Sequence, residues 1–197
     1  DGFLAYDKLP GVPLASLPGP QRVGPHFAAT LAELLTRLHS APVSQLRRLV
    51  DVELEPLEQW LGYTRSDYLK MVRSIPPAVR RQNESFLAAA VPEANFAPAF
   101  CHNDLGAEHV LVDSDSRECT GILDWTDAAI TDPARDFGPL YRDCGPTVVD
   151  AALAAYGAGP GLRERAIFYG RCAVFEDIAH GLETGKRVYA ENAIAAL

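Results

Sequence analysis

The chain has 197 residues, 48% of them hydrophobic and 22% charged, with a formal net charge of −8, the composition of an ordinary globular protein able to bury a sizeable core. No apolar run nears the roughly 20 residues that span a bilayer, and the opening Asp1-Gly2-Phe3-Leu4 is not a signal peptide. Residues 1–98 hold ten acidic and ten basic side chains, residues 99–197 sixteen and eight, so the acidic excess lies in the second half, which excludes a nucleic-acid binder and leaves room for metal ions and a cationic ligand.

In chain order, Phe3-Leu4-Ala5-Tyr6 reads as a strand running into a turn at Pro10-Gly11. A chain that opens in mid-strand is expected to be a piece of something larger. After Pro20, Phe27, Leu31, Leu34, Leu35 and Leu38 recur at helical steps and predict one buried face. Further helices are expected over about 54–74 and 77–90, the second after Pro76-Pro77. The period then changes to short apolar runs of strand length at 99–101, 110–112 and 121–123, the last two joined by a polar hairpin turn at 113–118. Helices return after Asp132-Pro133, with Asp as cap and Pro at the first helical position. A long helix over about 162–184 carries Ile167, Val174, Ile178 and Leu182 as its buried stripe. Gly157, Gly159 and Gly161 follow a helix, lack a Lys, and read as a loop. The fold class is α+β, mainly α-helical, with a small central β hairpin. Cys101, Cys119, Cys144 and Cys172 form no CxxC pair and read as reduced, mostly buried thiols of a cytoplasmic protein.

The chemistry concentrates in Cys101-His102-Asn103-Asp104-Leu105-Gly106-Ala107-Glu108-His109 and in Ile122-Leu123-Asp124-Trp125. A hairpin would bring Asp104, His109 and Asp124 to one end of the same small sheet. Such a set of few protein ligands suits Mg²⁺, which keeps waters and takes phosphate oxygens. Phosphoryl transfer needs one carboxylate on the acceptor hydroxyl and further groups on the metal. His102-Asn103-Asp104 stands where a kinase H-R-D would, His109 where its Asn would, and Asp124-Trp125 where D-F of D-F-G would.

These runs, with Val110-Leu111-Val112-Asp113 and Asp132-Pro133-Ala134-Arg135-Asp136-Phe137, resemble the signature of aminoglycoside and other antibiotic phosphotransferases. His at position 109 is similar to the 2''-aminoglycoside and macrolide types. The resemblance covers nearly the whole chain and implies the C-terminal lobe of a protein-kinase-like fold. It implies Asp104 as catalytic base, His102 as a brace of the catalytic loop, and His109 and Asp124 as Mg²⁺ ligands. It makes Asp132 and Asp136 structural. Tyr6-Asp7-Lys8-Leu9-Pro10-Gly11 resembles the hinge that binds the nucleobase of ATP or GTP, with Asp7 and Leu9 as its contacts. It also implies residues 1–14 as a hinge from a separate N-terminal nucleotide lobe and 15–197 as the catalytic and substrate-binding lobe. No Gly-rich loop, phosphate-binding Lys or partner Glu precedes the hinge, so the piece alone is expected to be inactive.

Asp127 reads equally as a site residue or a turn former. Glu176, Asp177 and Glu183 read as holders of a substrate's ammonium groups or as a solvated helix face. Trp60, Tyr63 and Tyr68 lie where such kinases line the acceptor cleft, although core packing is the commoner role of such a stripe. His26, His39 and His180 are expected to be packing or surface residues. The leading reading is transfer of a γ-phosphate to a hydroxyl of a small molecule, an aminoglycoside-type antibiotic first. A macrolide, choline-like or sugar acceptor, a non-catalytic binding lobe, and a metal phosphohydrolase are the alternatives.

Overall fold

The structure, a computed structural model, describes residues 7–17 and 23–185; the strand expected over residues 3–6 lies outside them. Strand β1 (Val12–Pro13) follows the hinge-like segment and leads into a single 3₁₀ turn, Leu14–Ser16. Helix α1 (Phe27–His39) follows, with Phe27, Leu31 and Leu35 buried and Leu34 and Leu38 packed at the edge of the core, as their spacing predicts. After α2 (Val43–Leu46) and β2 (Asp51–Val52) come α3 (Leu57–Met71) and α4 (Pro77–Ala88). Both are shorter than the sequence suggests. Helix α3 is shorter at both ends, where Pro56 disfavours a helical conformation for Glu55 before it, and α4 starts at Pro77 as expected but ends two residues early.

The strands β3 (Ala99–Cys101) and β4 (Val110–Val112) fall where the apolar runs place them, and β5 (Cys119–Ile122) begins two residues earlier than expected. The β4–β5 hairpin is there, antiparallel, with Val110 opposite Ile122. It forms a sheet of order β1-β4-β5. Strand β3 does not join it. It pairs antiparallel with β6 (Ala129–Thr131), Phe100 opposite Ile130, and β6 pairs in parallel with β2. Among the described residues there are thus two small sheets rather than one hairpin. Two-residue strands such as β1 and β2 are too short to leave an alternating pattern in a sequence.

Helix α5 (Ala134–Cys144) starts one residue later than expected, and Asp132 caps it by accepting the Ala134 N–H at 3.0 Å. Then come α6 (Pro146–Tyr156), a glycine-containing loop, and α7 (Leu162–Thr184). Helix α7 packs against both α5 and α3. It therefore buries Ala166, Phe168, Tyr169, Cys172 and Phe175 besides Val174 and Ile178, whereas the predicted stripe member Leu182 is exposed. A helix enclosed on two sides carries no single apolar stripe. Gly138 and Gly170 set how closely α5 and α7 approach: a Cβ on Gly170 would lie 2.6 Å from the Gly138 carbonyl oxygen. Only glycine fits there. That approach brings the far half of α7 against the loop after β3. None of the four cysteines is paired. No helix among the described residues is long and apolar enough to cross a membrane.

Candidate active site

The loop after β3 is held from outside itself. Asp136, in the first turn of α5 and fully buried, accepts the backbone N–H groups of His102 at 3.0 Å and Asn103 at 2.7 Å. His39, the last residue of α1, donates to the same carboxylate from Nε2 at 3.0 Å and meets the Tyr156 hydroxyl at Nδ1, 2.9 Å away. The structural part read for Asp136 is thus visible as contacts. His39 is more than a packing residue. Its partners lie 97 and 117 positions away, so no local pattern signals them. With the loop so clamped, Asn103 adopts the left-handed conformation, φ 74°, which asparagine tolerates better than most residues. Asp104 then emerges half-exposed from the loop.

His102 is buried with both ring nitrogens committed. Nδ1 accepts the Asp104 N–H at 3.3 Å, so the proton sits on Nε2, which donates to the Leu123 carbonyl at 2.7 Å. The imidazole thereby joins the loop of one sheet to the end of the β4–β5 hairpin in the other. It braces and carries no free lone pair.

His109 donates from Nδ1 to the Asp104 carbonyl at 2.7 Å, which leaves the Nε2 lone pair facing Asp124, 4.0 Å from its Oδ2. Asp124 itself is left-handed, φ 57°. Its carboxyl is held below the ordinary aspartate value, first by the Thr126 hydroxyl, which donates at 2.6 Å, and by the Thr126 backbone. The three groups do converge, with Asp104 Oδ2 3.6 Å from His109 Nδ1, but from two sheets rather than one. His109 and Asp124 could hold a metal ion: a ring nitrogen oriented by its second hydrogen bond lies 4.0 Å from a carboxylate held in its ionised form. Trp125 covers this end of the site, its ring 4.8 Å from that of His102.

Beyond Asp104 opens a cleft of two chambers. The first, about 230 Å³, is lined by Asp104, Glu108, Arg135, Arg142, Glu176 and Asp177, among others. The second, about 390 Å³, lies between α3 and α7 and is lined by Trp60, Tyr63, Thr64, Asp67, Lys70 and Glu176, among others. Trp60 and Glu176 belong to both. Tyr68, by contrast, is core, its hydroxyl donating to Glu84. Asp177 is committed within the protein. Arg142 donates to it at 2.7 Å while its fork holds Asp143 at 2.6 and 2.9 Å. Burial still pushes the Asp177 carboxyl up to about 6, Arg142 opposing, with Asp143, Glu108 and Glu176 adding to it. Glu176 opens to the cleft and makes no ion pair with another described residue. The protein mass around it, then the charge of Asp104, raise its carboxyl above the ordinary value. Glu183 is exposed near the end of α7. Asp127 points into solvent, and its backbone carbonyl accepts from Asn103 Nδ2 at 2.9 Å.

Asp7 is exposed, and Leu9 lies across Gly121 of β5. The segment turns at Gly11, φ 105°, where the Thr120 hydroxyl donates to the Pro10 carbonyl. The hinge-like stretch is thus stitched to the same hairpin that presents His109 and Asp124.

Residues 1–169 match the profile of the phosphotransferase enzyme family. The chain belongs to that family. It is 30% identical over 169 residues to viomycin phosphotransferase from Streptomyces vinaceus, an alignment that covers 83% of this chain and 58% of that protein. The chain therefore spans little more than half the length of this curated relative. The GDP and kanamycin complex of APH(2")-IIia superposes with a TM-score of 0.70 at 24% identity, covering 96% of this chain and 67% of that one. Macrolide 2'-phosphotransferase MphH from Brachybacterium faecium superposes with a TM-score of 0.61 at 27% identity, covering 98% and 68%.

The run Leu34-Leu35-Thr36-Arg37-Leu38-His39 also resembles the family's early helix of this lobe, but the contacts of three polar groups in the site left no trace in the sequence pattern. His39 is one, and Arg142 is another. The third is Glu53, just after β2, whose Oε2 accepts from Asn103 Nδ2 at 3.0 Å and from Arg135 at 2.6 Å. Burial favours its neutral form, but the Asn103 and Arg135 bonds outweigh that and hold its carboxyl below the ordinary value. Each partner is remote in sequence. Pairings of 50 and 82 positions follow only from the β2–β6 contact.

Proposed function

We propose that this chain is the catalytic and acceptor-binding lobe of an enzyme that transfers the γ-phosphoryl group of ATP or GTP to a hydroxyl of a small cationic molecule of aminoglycoside type. The observation that carries this reading is the position of Asp104, between the His109–Asp124 pair on one side and an acidic two-chambered cleft on the other. Residues 1–14 then serve as the hinge to a nucleotide lobe, with Asp7 and Leu9 beside the nucleobase, and residues 15–197 as the catalytic and substrate-binding lobe. Viomycin phosphotransferase as a relative and kanamycin bound to a structural neighbour support a polyamine acceptor.

Asp104 takes the proton of the acceptor hydroxyl as the acceptor oxygen bonds to the γ-phosphorus. The bond from that phosphorus to the β–γ bridging oxygen breaks, and nucleoside diphosphate leaves. His109 Nε2 and Asp124 would hold Mg²⁺, whose charge neutralises the β- and γ-phosphates when bound. His102 and Asp136 fix the loop so that the Asp104 carboxylate needs no reorganisation. Glu176 offers the cleft's free carboxylate to an acceptor ammonium, whereas Asp177 acts through Arg142. Incubation of the complete protein with Mg²⁺ and ATP or GTP against viomycin, kanamycin and a macrolide, read by mass spectrometry, tests the assignment. A singly phosphorylated kanamycin or viomycin is expected. Mg-nucleotide binding without any phosphorylated product would refute it.

A further inference from the structure

Asn103, beside Asp104, and Trp60, in the cleft wall, lie at opposite ends of one chain of contacts that passes through a single carboxylate. Asn103 precedes Asp104 and holds a left-handed backbone. Its side-chain amide is fastened to the Asp127 carbonyl at 2.9 Å and to Glu53 Oε2 at 3.0 Å. The same Glu53 oxygen accepts from Arg135 at 2.6 Å. The Arg135 guanidinium in turn lies 4.4 Å over the Trp60 ring, and Trp60 meets Tyr169 edge-on with centroids 5.6 Å apart. Trp60 and Tyr169 are cleft walls. Glu53 is itself immobilised, because its N–H donates to the Ile130 carbonyl at 3.0 Å and its carbonyl accepts the Thr131 hydroxyl at 2.6 Å. It is a post fastened from the end of β2 to β6, with two donors on one side-chain oxygen.

We propose that Glu53 is a positioning residue that locks the Asp104 loop and the acceptor wall into one register, through Asn103 on one side and Arg135 and Trp60 on the other. This rests on Asp104 being the base. The two arms differ chemically. Asn103 needs only an acceptor atom, which an amide also supplies. Arg135 needs the charge, because its guanidinium, on a side chain only 13% exposed, has no other described carboxylate to hold it over the Trp60 face. The arms are therefore separable by substitution.

The test is steady-state kinetics of the complete protein on kanamycin or viomycin, whichever it phosphorylates, with activity expressed per folded molecule. Glu53→Gln keeps the Asn103 bond and is expected to hold kcat within about threefold while raising the acceptor KM several-fold. Glu53→Ala is expected to lower kcat by about 10–100-fold, as misplacement of a catalytic group by about 1 Å can, and to raise the acceptor KM as well. The nucleotide KM stays unchanged in both. In a double-mutant cycle, Arg135→Met added to Glu53→Ala should raise the acceptor KM no further. Glu53→Ala with wild-type kcat and KM per folded molecule, or with equal losses in the nucleotide KM, overturns the proposal. Asp104→Asn serves as the separate control. If that variant turns over normally, the base assignment itself fails; if it is inactive while Glu53→Ala is unaffected, only the present inference fails.

Discussion

Replacing Asp136 by Asn changes one atom and sets three hydrogen bonds against each other. The carboxylate now accepts the Asn103 N–H on Oδ1 and both the His102 N–H and His39 Nε2 on Oδ2, at 2.7–3.0 Å and fully buried. An amide can keep its oxygen toward Asn103, but its NH₂ then faces the His102 N–H, donor against donor. His39 can adapt by moving its proton to Nδ1 and accepting at Nε2. The retained bonds lose their charge assistance, at about 1 kcal/mol each, and one backbone N–H is stranded at about 1–3 kcal/mol. The sum is a loss of about 3–5 kcal/mol, a large share of the roughly 5–15 kcal/mol that holds a domain together. Urea unfolding of wild type and Asp136→Asn at pH 7, followed by circular dichroism, measures it. The loop should loosen before the whole molecule does, so hydrogen exchange at His102 and Asn103 should accelerate most. A loss under about 1 kcal/mol with unchanged exchange at these amides would refute the clamp.

Three further outcomes are expected. Asp104→Asn removes the proposed base without disturbing the backbone and should cut kcat by about 10²–10⁴-fold, with nucleotide affinity kept within twofold by equilibrium binding. Asp124→Asn preserves a residue suited to φ 57° but removes the ionised carboxylate proposed to hold the metal. It should raise the Mg²⁺ concentration needed for half-maximal turnover by tenfold or more, and an unchanged Mg²⁺ titration would remove Asp124 from the metal site. Asp177 binds its proton more tightly folded, with its value at about 6, than unfolded, at about 4. Its contribution to stability is full below pH 4 and is lost as pH rises through 6. Asp177→Asn should therefore gain thermal stability relative to wild type across pH 4 to 7, while Arg142 keeps Asp143. Parallel Tm–pH curves for the two proteins would show that the buried charge is not felt.

Elements bounded by chemistry were legible in the sequence, and those bounded by tertiary pairing were not. Strands β3 and β4 stand at the residues read, because each short apolar run is cut off by polar neighbours. Helix α7 runs between Gly161 and Gly185, both left-handed, and its limits match the reading. The second sheet was invisible, since Asp51 and Val52 pair in parallel with a strand almost 80 residues on and bury neither side chain. Within the site, the order Asp104, His109, Asp124 could be read because one loop and one hairpin carry it. Glu53, His39 and the commitment of Asp177 to Arg142 could not, for each depends on which helix or strand folds beside which.

The larger chamber has a consequence for how such a protein changes over generations. Thr64, Asp67, Lys70 and Cys172 line it from α3 and α7, and none of them shares a described hydrogen bond with the loop that carries Asp104. In the proposed reaction, replacements there would alter which acceptor is admitted without touching the groups that react, so a lineage could shift its acceptors through this wall alone, at the buried Thr64 and Cys172 as well as at its open rim. Trp60 is the wall residue without that freedom, because its ring is also the seat of Arg135.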